Sequence, residues 1–427
     1  MKIFIGKKAK KNYDFHLFPN ENLYNGSKDL ATYYGSLTPI EIDLLNIASG
    51  IYATDLAIKR DERENYIRKI EVDIEVINFH AFDRIKSKLN YALHVLSKDN
   101  WLINFIPISI KKSKEINWQQ NEGAILLFSG GLDSMAATAD FIESKKNIVL
   151  VSHTSQGNRV VDYSQKNVHR VLEEHYKIKL DHVRVKVFGR NKGEYLFPED
   201  RENTQRTRSF LFLTLAAIVT RRRGFNKVVF MAENGQFAIH VPLNQSRVGP
   251  FSTHTADPEF ISIAEEIFRI VLDNSGFIIS NPYIYLTKAE VLAKLPKDLL
   301  KKSHYSVTCW MVSRIQKHCG YCIPCISRRI ALEHHNIKFD EYKVDIFNTD
   351  LNTLKDDDTA KINIVDYLEF ITKFKNVSAS NKQELLLEFP ELMNKSIDSE
   401  LGLKLYNRIA IQSFAILEKY PLMKEIL

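Results

Sequence analysis

The sequence predicts an α/β protein built around a parallel sheet with crossover helices. Between residue 124 and about residue 300, short apolar runs alternate with amphipathic segments of helical period. This alternation is typical of βαβ units, in which each helix carries the chain back to begin the next parallel strand. The 427 residues exceed the size of one ordinary domain, so we expect further units on either side of the sheet.

Composition and charge are those of a globular protein without membrane spans. Hydrophobic residues make up 44% of the chain and charged residues 26%. No apolar stretch approaches the length of a membrane span, and the apolar run at the N-terminus is too short for a signal peptide. Four cysteines are too few for a disulfide scaffold, which favours a cytoplasmic location. The net charge of +7 permits nucleic acid as a partner without requiring it, and the oligomeric state stays open.

Residues 1–118 form a predicted N-terminal α/β domain. Apolar residues recur at helical spacing over 41–60, and residues 69–79 alternate as in a half-buried strand. A second predicted helix over 82–98 leads into a β-rich run over 101–110. The polar stretch 111–123 is a predicted linker.

The predicted core domain spans residues 119–339 and contains five candidate strands. In chain order they read "AILLFS", "NIVLVSH", "HVRVKVF", "KVVFMAE" and "GFIISNPY". Predicted helices separate the first four, the third of them being the apolar run "TRSFLFLTLAAIVTRRR". Residues 340–427 are predicted to form a helical C-terminal region.

The stretch "AILLFSGGLDSM" at 124–135 combines a buried strand, a glycine turn and a helix start. Glycines let the backbone turn sharply beside an anion, and the unpaired amides at a helix start point toward it. Ser129 and Ser134 add hydroxyl groups. Asp133 predicts either a helix cap or a cation, such as Mg²⁺, between its carboxylate and a phosphate. A Walker A loop is excluded because its Gly-Lys-Ser/Thr ending is absent.

All four cysteines lie in one short segment, with intervening gaps of nine, two and two residues: Cys309, Cys319, Cys322 and Cys325. Four clustered thiolates are typical of a closed structural zinc site, and iron–sulfur ligation is an alternative with similar spacing. His304 and His318 are alternative candidate ligands for the metal ion. A complete set of four thiolates predicts instead that both histidines face solvent.

These motifs together resemble a known family. Ser-Gly-Gly-Leu-Asp-Ser after a strand is similar to the PP-loop of the N-type ATP pyrophosphatases, over roughly 124–330. Thr-Cys-Trp at 308–310 and Cys-Gly-x-Cys-x-x-Cys-x-x-Arg at 319–328 resemble the 7-cyano-7-deazaguanine synthases (QueC). "LTKAEVLAKL" resembles the helix start that these synthases carry before their zinc site. The extra flanking regions are similar to those of QueC-like proteins from bacterial anti-phage operons, namely the Qat system and type IV CBASS.

The resemblance implies a PP-loop (adenine nucleotide alpha hydrolase-like) sheet and an enzyme that uses ATP and Mg²⁺, with Zn²⁺ as a structural ion. Such synthases adenylate 7-carboxy-7-deazaguanine with release of pyrophosphate, let ammonia displace AMP to give the amide, and use a second ATP to make the nitrile. The implied contacts to ATP lie in the loop and at the end of the second strand: Ser129, Gly130, Gly131, Leu132, Asp133, Ser134, Ser152, His153 and Thr154.

Two arginines and one polar segment complete the candidate site. Arg206 and Arg208 stand at the start of an apolar helix, where positive charge opposes the helix dipole and predicts an anionic partner. Arg208 is the first candidate for contacting the α-phosphate and Arg206 the second, with Asp133 acting through Mg²⁺. Segment 233–258 replaces the substrate loop of the synthases. Its candidate substrate contacts are Glu233, Asn234, Asn244 or Gln245, Arg247 and His254.

Four functions stay open from the sequence. The core resemblance implies release of a nitrile, whereas the flanking domains favour conjugation of the adenylated deazaguanine to an amine of a partner protein from the same operon, or of nucleic acid. A tRNA-modifying sulfurtransferase or lysidine-forming ligase with a PP-loop is the third function. A non-catalytic, nucleotide-binding zinc scaffold is the fourth.

Overall fold

Two parallel sheets and the helices around them make up the computed structural model, which confirms the predicted α/β class. It describes residues 1–8, 10–61, 66–109, 121–155, 158–202, 204–225, 228–244, 255–315, 317–338 and 342–427. Most of the predicted linker therefore lies outside the described residues, as do Gln245, Arg247 and His254.

The N-terminal sheet has the strand order β2-β1-β4-β5, and all its strand pairs are parallel. The elements of this region are β1 (Lys2–Ile5), β2 (Phe15–Leu17), β3 (Leu23–Tyr24), α1 (Ser27–Tyr34), α2 (Pro39–Ala57), β4 (Lys69–Val76), α3 (Phe79–Asp83), α4 (Lys86–Ser97) and β5 (Asn100–Pro107). Helix α2 begins where predicted because Thr38 and Glu41 form a reciprocal capping box and Pro39 occupies the first turn. The predicted strands over 69–79 and 101–110 are present as β4 and β5.

The core sheet has the order β11-β10-β6-β7-β8, again all parallel. Its region contains β6 (Ala124–Leu127), α5 (Leu132–Glu143), β7 (Ile148–Thr154), α6 (Arg159–Tyr176), β8 (His182–Lys186), β9 (Phe188–Gly189), α7 (Arg208–Arg223), β10 (Val228–Phe230), α8 (Gly235–Ile239), α9 (Pro258–Val271), β11 (Ile278–Ser280), α10 (Lys288–Leu292), α11 (Lys297–Leu300), α12 (Val312–Ile315) and α13 (Ile323–His334). All five predicted strands occur. The chain builds one side of the sheet from β6 to β8 and then returns to build the other, so its winding reverses between β6 and β10.

The two sheets share one apolar core. Helix α2 packs against α7, and a single cluster of buried side chains runs from Ile5 through Ile51 to Leu215 and Phe268. The short strands β3 and β9 also pair, in antiparallel register. The two sheets are therefore packed together rather than tethered loosely; the boundary predicted near residue 118 lies outside the described residues.

Buried charges reinforce this contact. Arg68 donates hydrogen bonds to Asp55 and Asp99, and the Thr207 amide and hydroxyl donate to Asp55 at 3.0 Å. Removing one charged side chain from such a buried network leaves the opposite charge buried without a partner, which destabilises the fold. The start of α7 is thereby fixed by the N-terminal region.

The C-terminal region is helical, as predicted. It contains α14 (Thr359–Phe374), α15 (Lys382–Glu388), α16 (Ser399–Leu417) and α17 (Pro421–Lys424). These helices have their own apolar cluster, which continues into α8 and α13 of the core. Among the described residues, no helix is both long enough and apolar enough to span a membrane.

Candidate active site

A tight glycine turn joins β6 to α5. Gly130 has a φ of +78°, and a Cβ there would lie 2.8 Å from the Gln165 backbone nitrogen, so only glycine fits. Gly131 is the N-cap of α5, and no side chain caps the first amides of this helix. The Gly131 amide donates to Ser129 Oγ at 3.2 Å, and Ser134 Oγ donates to the Gly131 carbonyl at 3.0 Å. The serines brace a turn whose helical amides are available to an anion.

This turn lies at the point where the winding of the sheet reverses. It follows the carboxyl end of β6, and Glu233 and Asn234 follow the carboxyl end of the neighbouring strand β10. Crevices at such reversal points are the usual ligand sites of open parallel sheets. The sheet topology therefore brings the predicted loop and the first part of the predicted substrate segment together.

Asp133 is the centre of a buried polar cluster. The Lys288 ammonium lies 2.9 Å and 3.0 Å from its two carboxylate oxygens, and Asn234 Nδ2 donates to Asp133 Oδ2 at 2.8 Å. Both members of the ion pair are nearly excluded from solvent, with 5% of the Lys288 and 8% of the Asp133 side chain exposed. In the described structure, the positive charge beside Asp133 is the Lys288 ammonium group.

The two carboxyl groups of the cluster have opposite pKa shifts. Burial alone would raise the pKa of Asp133, but the Lys288 ammonium and the hydrogen bonds from Glu233 and Asn234 hold it below its ordinary value. Burial raises the pKa of Glu233 well above its ordinary range, and the neighbouring Asp133 charge raises it further. Burial and the Asp133 charge thus both favour the protonated form of the Glu233 carboxyl group, which can donate to the Asp133 carboxylate.

Two cavities flank the cluster and share Ser129 and Glu233 in their walls. The first has a volume of about 190 Å³, and its other wall residues include Lys288, Thr308 and the indole of Trp310. Trp310 is 55% exposed, which is unusual for so large an apolar side chain. An aromatic face at the edge of a polar cavity is suited to stacking on a planar ligand.

The second cavity, of about 70 Å³, contains two unsatisfied acceptors. His153 Nε2 donates to the Val187 carbonyl at 3.0 Å, which leaves Nδ1 as an acceptor, and burial lowers the His153 pKa to about 3 so that the ring is neutral. Gln165 uses its Nε2 to donate to the His153 carbonyl. Among the described residues, neither His153 Nδ1 nor Gln165 Oε1 has a hydrogen-bond partner. Such a pair fits a ligand amino group.

The two candidate arginines have different surroundings. Arg208 lies over the ring of Phe212, which lines the second cavity, at 4.7 Å from the ring centroid. Its guanidinium has no described carboxylate partner, and burial lowers its pKa. Arg206 is buried and donates instead to the Ser97 carbonyl of the N-terminal region at 3.1 Å. Arg206 therefore contacts the N-terminal region, whereas the Arg208 guanidinium lies beside an aromatic ring of the second cavity's wall.

The end of β7 is more structural than predicted. Ser152 Oγ donates to the Phe128 carbonyl and lies 2.7 Å from His182 Nε2, so this hydroxyl is used within the sheet. Thr154 is buried and lines neither cavity. Of the three adenosine contacts predicted there, His153 alone lines a cavity.

The four cysteines converge as predicted. Their Sγ atoms lie within 4.8 Å of one another, with 3.8 Å between Cys319 and Cys325 and 3.9 Å between Cys322 and Cys309. A zinc–sulfur bond of about 2.3 Å in a tetrahedron requires sulfur atoms about 3.8 Å apart, so the set fits Zn²⁺. Backbone amides of residues 311, 319 and 322 donate to these sulfurs, as they do toward thiolates. The closed set leaves no position for catalysis.

One expectation about this segment is wrong. His304 is exposed, but His318 is buried and accepts a hydrogen bond from the Thr308 amide at 3.3 Å. Burial and the neighbouring Arg328 lower the His318 pKa to about 3, so its ring is neutral. Arg328 in turn donates to the hydroxyls of Ser306 and Thr308. The cysteine segment is thus joined rigidly to the wall of the first cavity.

Comparison with known proteins agrees with these two sites. The family model described as "Queuosine biosynthesis protein QueC" matches residues 123–336, half of the chain. This chain belongs to the QueC family. Proteins described as 7-cyano-7-deazaguanine synthase from two strains of Porphyromonas gingivalis are 24% identical to it over 240 residues, which cover 51% of this chain and 96% of theirs. A protein of the same description from Saccharolobus solfataricus is 23% identical over 281 residues, covering 62% of this chain and 55% of its own.

The QueC match supports an enzyme of the synthase kind. It covers the glycine turn, the polar cluster and the cysteines, whereas residues 1–122 and 337–427 lie outside it. None of the relatives' descriptions refers to phage defence, so that part of the resemblance stays a prediction.

Sequence reasoning missed several residues that the QueC fold brings to the site. Lys288 appeared only as part of a resemblance, and nothing in the sequence pairs it with a carboxylate 155 positions earlier. Gln165 and Phe212 face the second cavity from α6 and α7. The available signal was the position of Lys288 directly after the helix-capping Thr287. A lysine at a helix start is disfavoured by the helix dipole, which suggests that its charge has a partner elsewhere.

Proposed function

We propose that this protein uses ATP to adenylate the carboxylate of a 7-deazaguanine, in the manner of a PP-loop enzyme, and passes the acyl group to an amine. The uncapped glycine turn beside the buried Asp133–Lys288 pair, at the reversal point of the sheet, carries the proposal. The turn offers amides to an anion, and the two cavities beside it offer places for two reactants.

The second cavity suits the adenine ring of ATP. The free acceptors His153 Nδ1 and Gln165 Oε1 match its exocyclic amino group, which a guanine base lacks at that position. Arg208 is close enough to Phe212 at the cavity wall to meet the α-phosphate, and a ligand phosphate would compensate its buried charge. The pyrophosphate would then lie on the turn, held by the α5 amides with Ser129 and Ser134.

The first cavity suits the deazaguanine. Trp310 offers a face for stacking, and the protonated form of Glu233, which burial favours, combines a donor and an acceptor for the ring edge. Glu233 lines both cavities, so it lies between the two proposed reactants. Lys288 and Asp133 fix the position of this wall through their buried ion pair.

The proposed reaction conserves atoms and charge in two steps. A carboxylate oxygen of the substrate attacks the α-phosphorus of ATP, the bond to the β-phosphate oxygen breaks, and pyrophosphate leaves with the electron pair. The nitrogen of ammonia or another amine then attacks the acyl carbon, AMP leaves, and one proton is lost to form the amide. Repetition of the first step on the amide oxygen, with release of a second pyrophosphate, followed by loss of AMP and of both protons of the amide nitrogen, gives the nitrile. Positioning and charge stabilisation supply most of the rate, because the acyl adenylate is already activated.

Two metal ions accompany the proposal. Mg²⁺, when bound with ATP, would neutralise charge on the phosphates; the hydroxyls of Ser129 and Ser134 and the Asp133 carboxylate are the groups at the turn that would hold it. Zn²⁺ would be structural, held by the four cysteines.

The test is to incubate the purified protein with ATP, Mg²⁺, 7-carboxy-7-deazaguanine and ammonium, and to follow AMP, pyrophosphate and deazaguanine products by mass spectrometry. We expect AMP and pyrophosphate in equal amounts, with Ser129→Ala and Arg208→Met reducing AMP formation at least tenfold. Free nitrile identifies a synthase, and AMP without it directs the search to a mass shift on a partner molecule. No substrate-dependent AMP at all would overturn the carboxylate assignment.

A further inference from the structure

A third cavity lies at the carboxyl end of the N-terminal sheet, away from the proposed active site. Its volume is about 480 Å³, more than twice that of the first cavity. Gly6 and Lys7 follow β1, Pro19 and Asn20 follow β2, and Glu75 lies near the end of β4. This sheet winds from β1 to β2 and then back to β4 on the other side of β1, so the cavity occupies its own reversal point.

The cavity wall combines apolar side chains with amide groups. Leu37 and Ile42 face it from the α2 side, and Ile5 and Ile108 from the sheet. Asn25, only 3% exposed, donates to Asn46 Oδ1 at 2.8 Å. Among the described residues Asn46 Nδ2 has no partner, so one amide donor is oriented by a buried neighbour and left for a ligand.

The charge at the cavity is positive. Lys7 and Lys28 line it, and neither ammonium group is paired with a described carboxylate. The one acidic residue among the described wall residues is Glu75. Its Oε2 accepts a hydrogen bond from the Lys7 amide at 2.9 Å and its Oε1 lies 3.8 Å from Lys10 Nζ, so its negative charge is already compensated. An anion that enters the cavity would find two uncompensated cations.

We infer that this cavity binds a planar nitrogen heterocycle that carries an anionic group, of about the size of a purine nucleoside monophosphate. The apolar walls accept the ring, the Asn46 amide, oriented by Asn25, meets its polar edge, and Lys7 with Lys28 holds the anion. This second site is separate from the ATP site proposed above, and its existence does not depend on that proposal.

Isothermal titration of the full chain with AMP tests the inference. Ala31→Trp introduces an indole from the exposed side of α1, where Ala31 lines the cavity, and we expect at least a tenfold loss of affinity at one AMP site. Thr32→Trp, at the next exposed position of the same helix but outside the cavity wall, is the matched control and should bind AMP as the wild type does. Equal AMP binding by the two tryptophan variants would overturn the site, whatever the core binds.

Lys28→Ala tests the contact with the anionic group of the ligand separately from the contacts with its ring. We expect it to weaken AMP binding several-fold and to leave adenosine binding unchanged, since adenosine has no charge for Lys28 to hold. Ribose 5-phosphate, which has the anion without the ring, should bind at least tenfold more weakly than AMP. Binding of ribose 5-phosphate as tight as that of AMP, or no AMP binding at 10 mM, contradicts the inference; catalytic assays are not needed for either result.

Discussion

Replacing Lys288 with methionine tests the buried polar cluster directly. Methionine keeps most of the volume of the side chain and removes its charge, so the Asp133 carboxylate loses the ammonium that lies 2.9 Å away. Breaking a buried ion pair in this way costs about 3–5 kcal/mol, because it leaves the other charge uncompensated. Asp133 keeps its hydrogen bond from Asn234, so we expect the lower end, about 3 kcal/mol of unfolding free energy at pH 7.

The loss should depend on pH. The folded-state pKa of Asp133 is below its unfolded value, so the stabilisation is complete above the ordinary carboxyl range and disappears as pH falls through the folded pKa. The difference between wild type and Lys288→Met should therefore be largest at neutral pH and shrink below about pH 4.

A double-mutant cycle measures the effect. Urea unfolding of wild type, Asp133→Asn, Lys288→Met and the double variant gives the interaction energy of the pair, which we expect to be about 2 kcal/mol. The matched control is the ion pair between Lys294, just after α10, and Asp140 of α5, with 3.0 Å between Nζ and Oδ2. This pair is more accessible to solvent, since 32% of the Lys294 and 26% of the Asp140 side chain is exposed. Solvent screening should limit that pair to below about 1 kcal/mol. Equal interaction energies for the two pairs would refute the argument that burial makes the Asp133 pair decisive.

Three further results are expected. Gly130→Ala should reduce AMP formation at least tenfold, because its Cβ would lie 2.8 Å from the Gln165 backbone nitrogen, whereas Gly193→Ala, which has the same left-handed backbone with nothing within 4 Å, should leave activity near wild type. Metal analysis should find one equivalent of zinc and no iron, and Cys322→Ser should lose the metal and lower the melting temperature; stoichiometric iron contradicts the zinc assignment. Gln165→Leu should weaken ATP binding about tenfold without changing GTP binding, measured by titration; equal losses for both nucleotides would remove Gln165 from adenine recognition.

Much of the fold could be predicted because its helices and strands are specified by residues close together in the sequence. The alternating residues of β4, the capping box of α2 and the five apolar strand runs of the core each specify their element within a few residues. Helix α9 was missed, although its apolar residues recur at helical spacing and Asp257 caps its first turn. It follows a segment rich in glycine, serine and threonine, which we interpreted as a continuous loop.

The candidate site was predictable only in part. The glycine turn and the cysteines are local motifs, and the structure brings each together as expected. Arg206 and Arg208 are two residues apart at the same helix start, and the sequence ranks them only as first and second candidates for one role. Packing separates them, because one contacts Ser97 and the other the Phe212 ring.

The α/β class, the glycine turn at the start of α5 and the four-thiolate set can all be inferred from the amino-acid order, since each depends on residues close together in the chain. Three features follow from packing alone: Lys288 neutralises Asp133, burial raises the pKa of Glu233, and the two sheets share one core. The physical reason is the same in each case. Charge state and burial depend on neighbours supplied by other elements, and those neighbours are set by how the strands are ordered and how the helices pack on them.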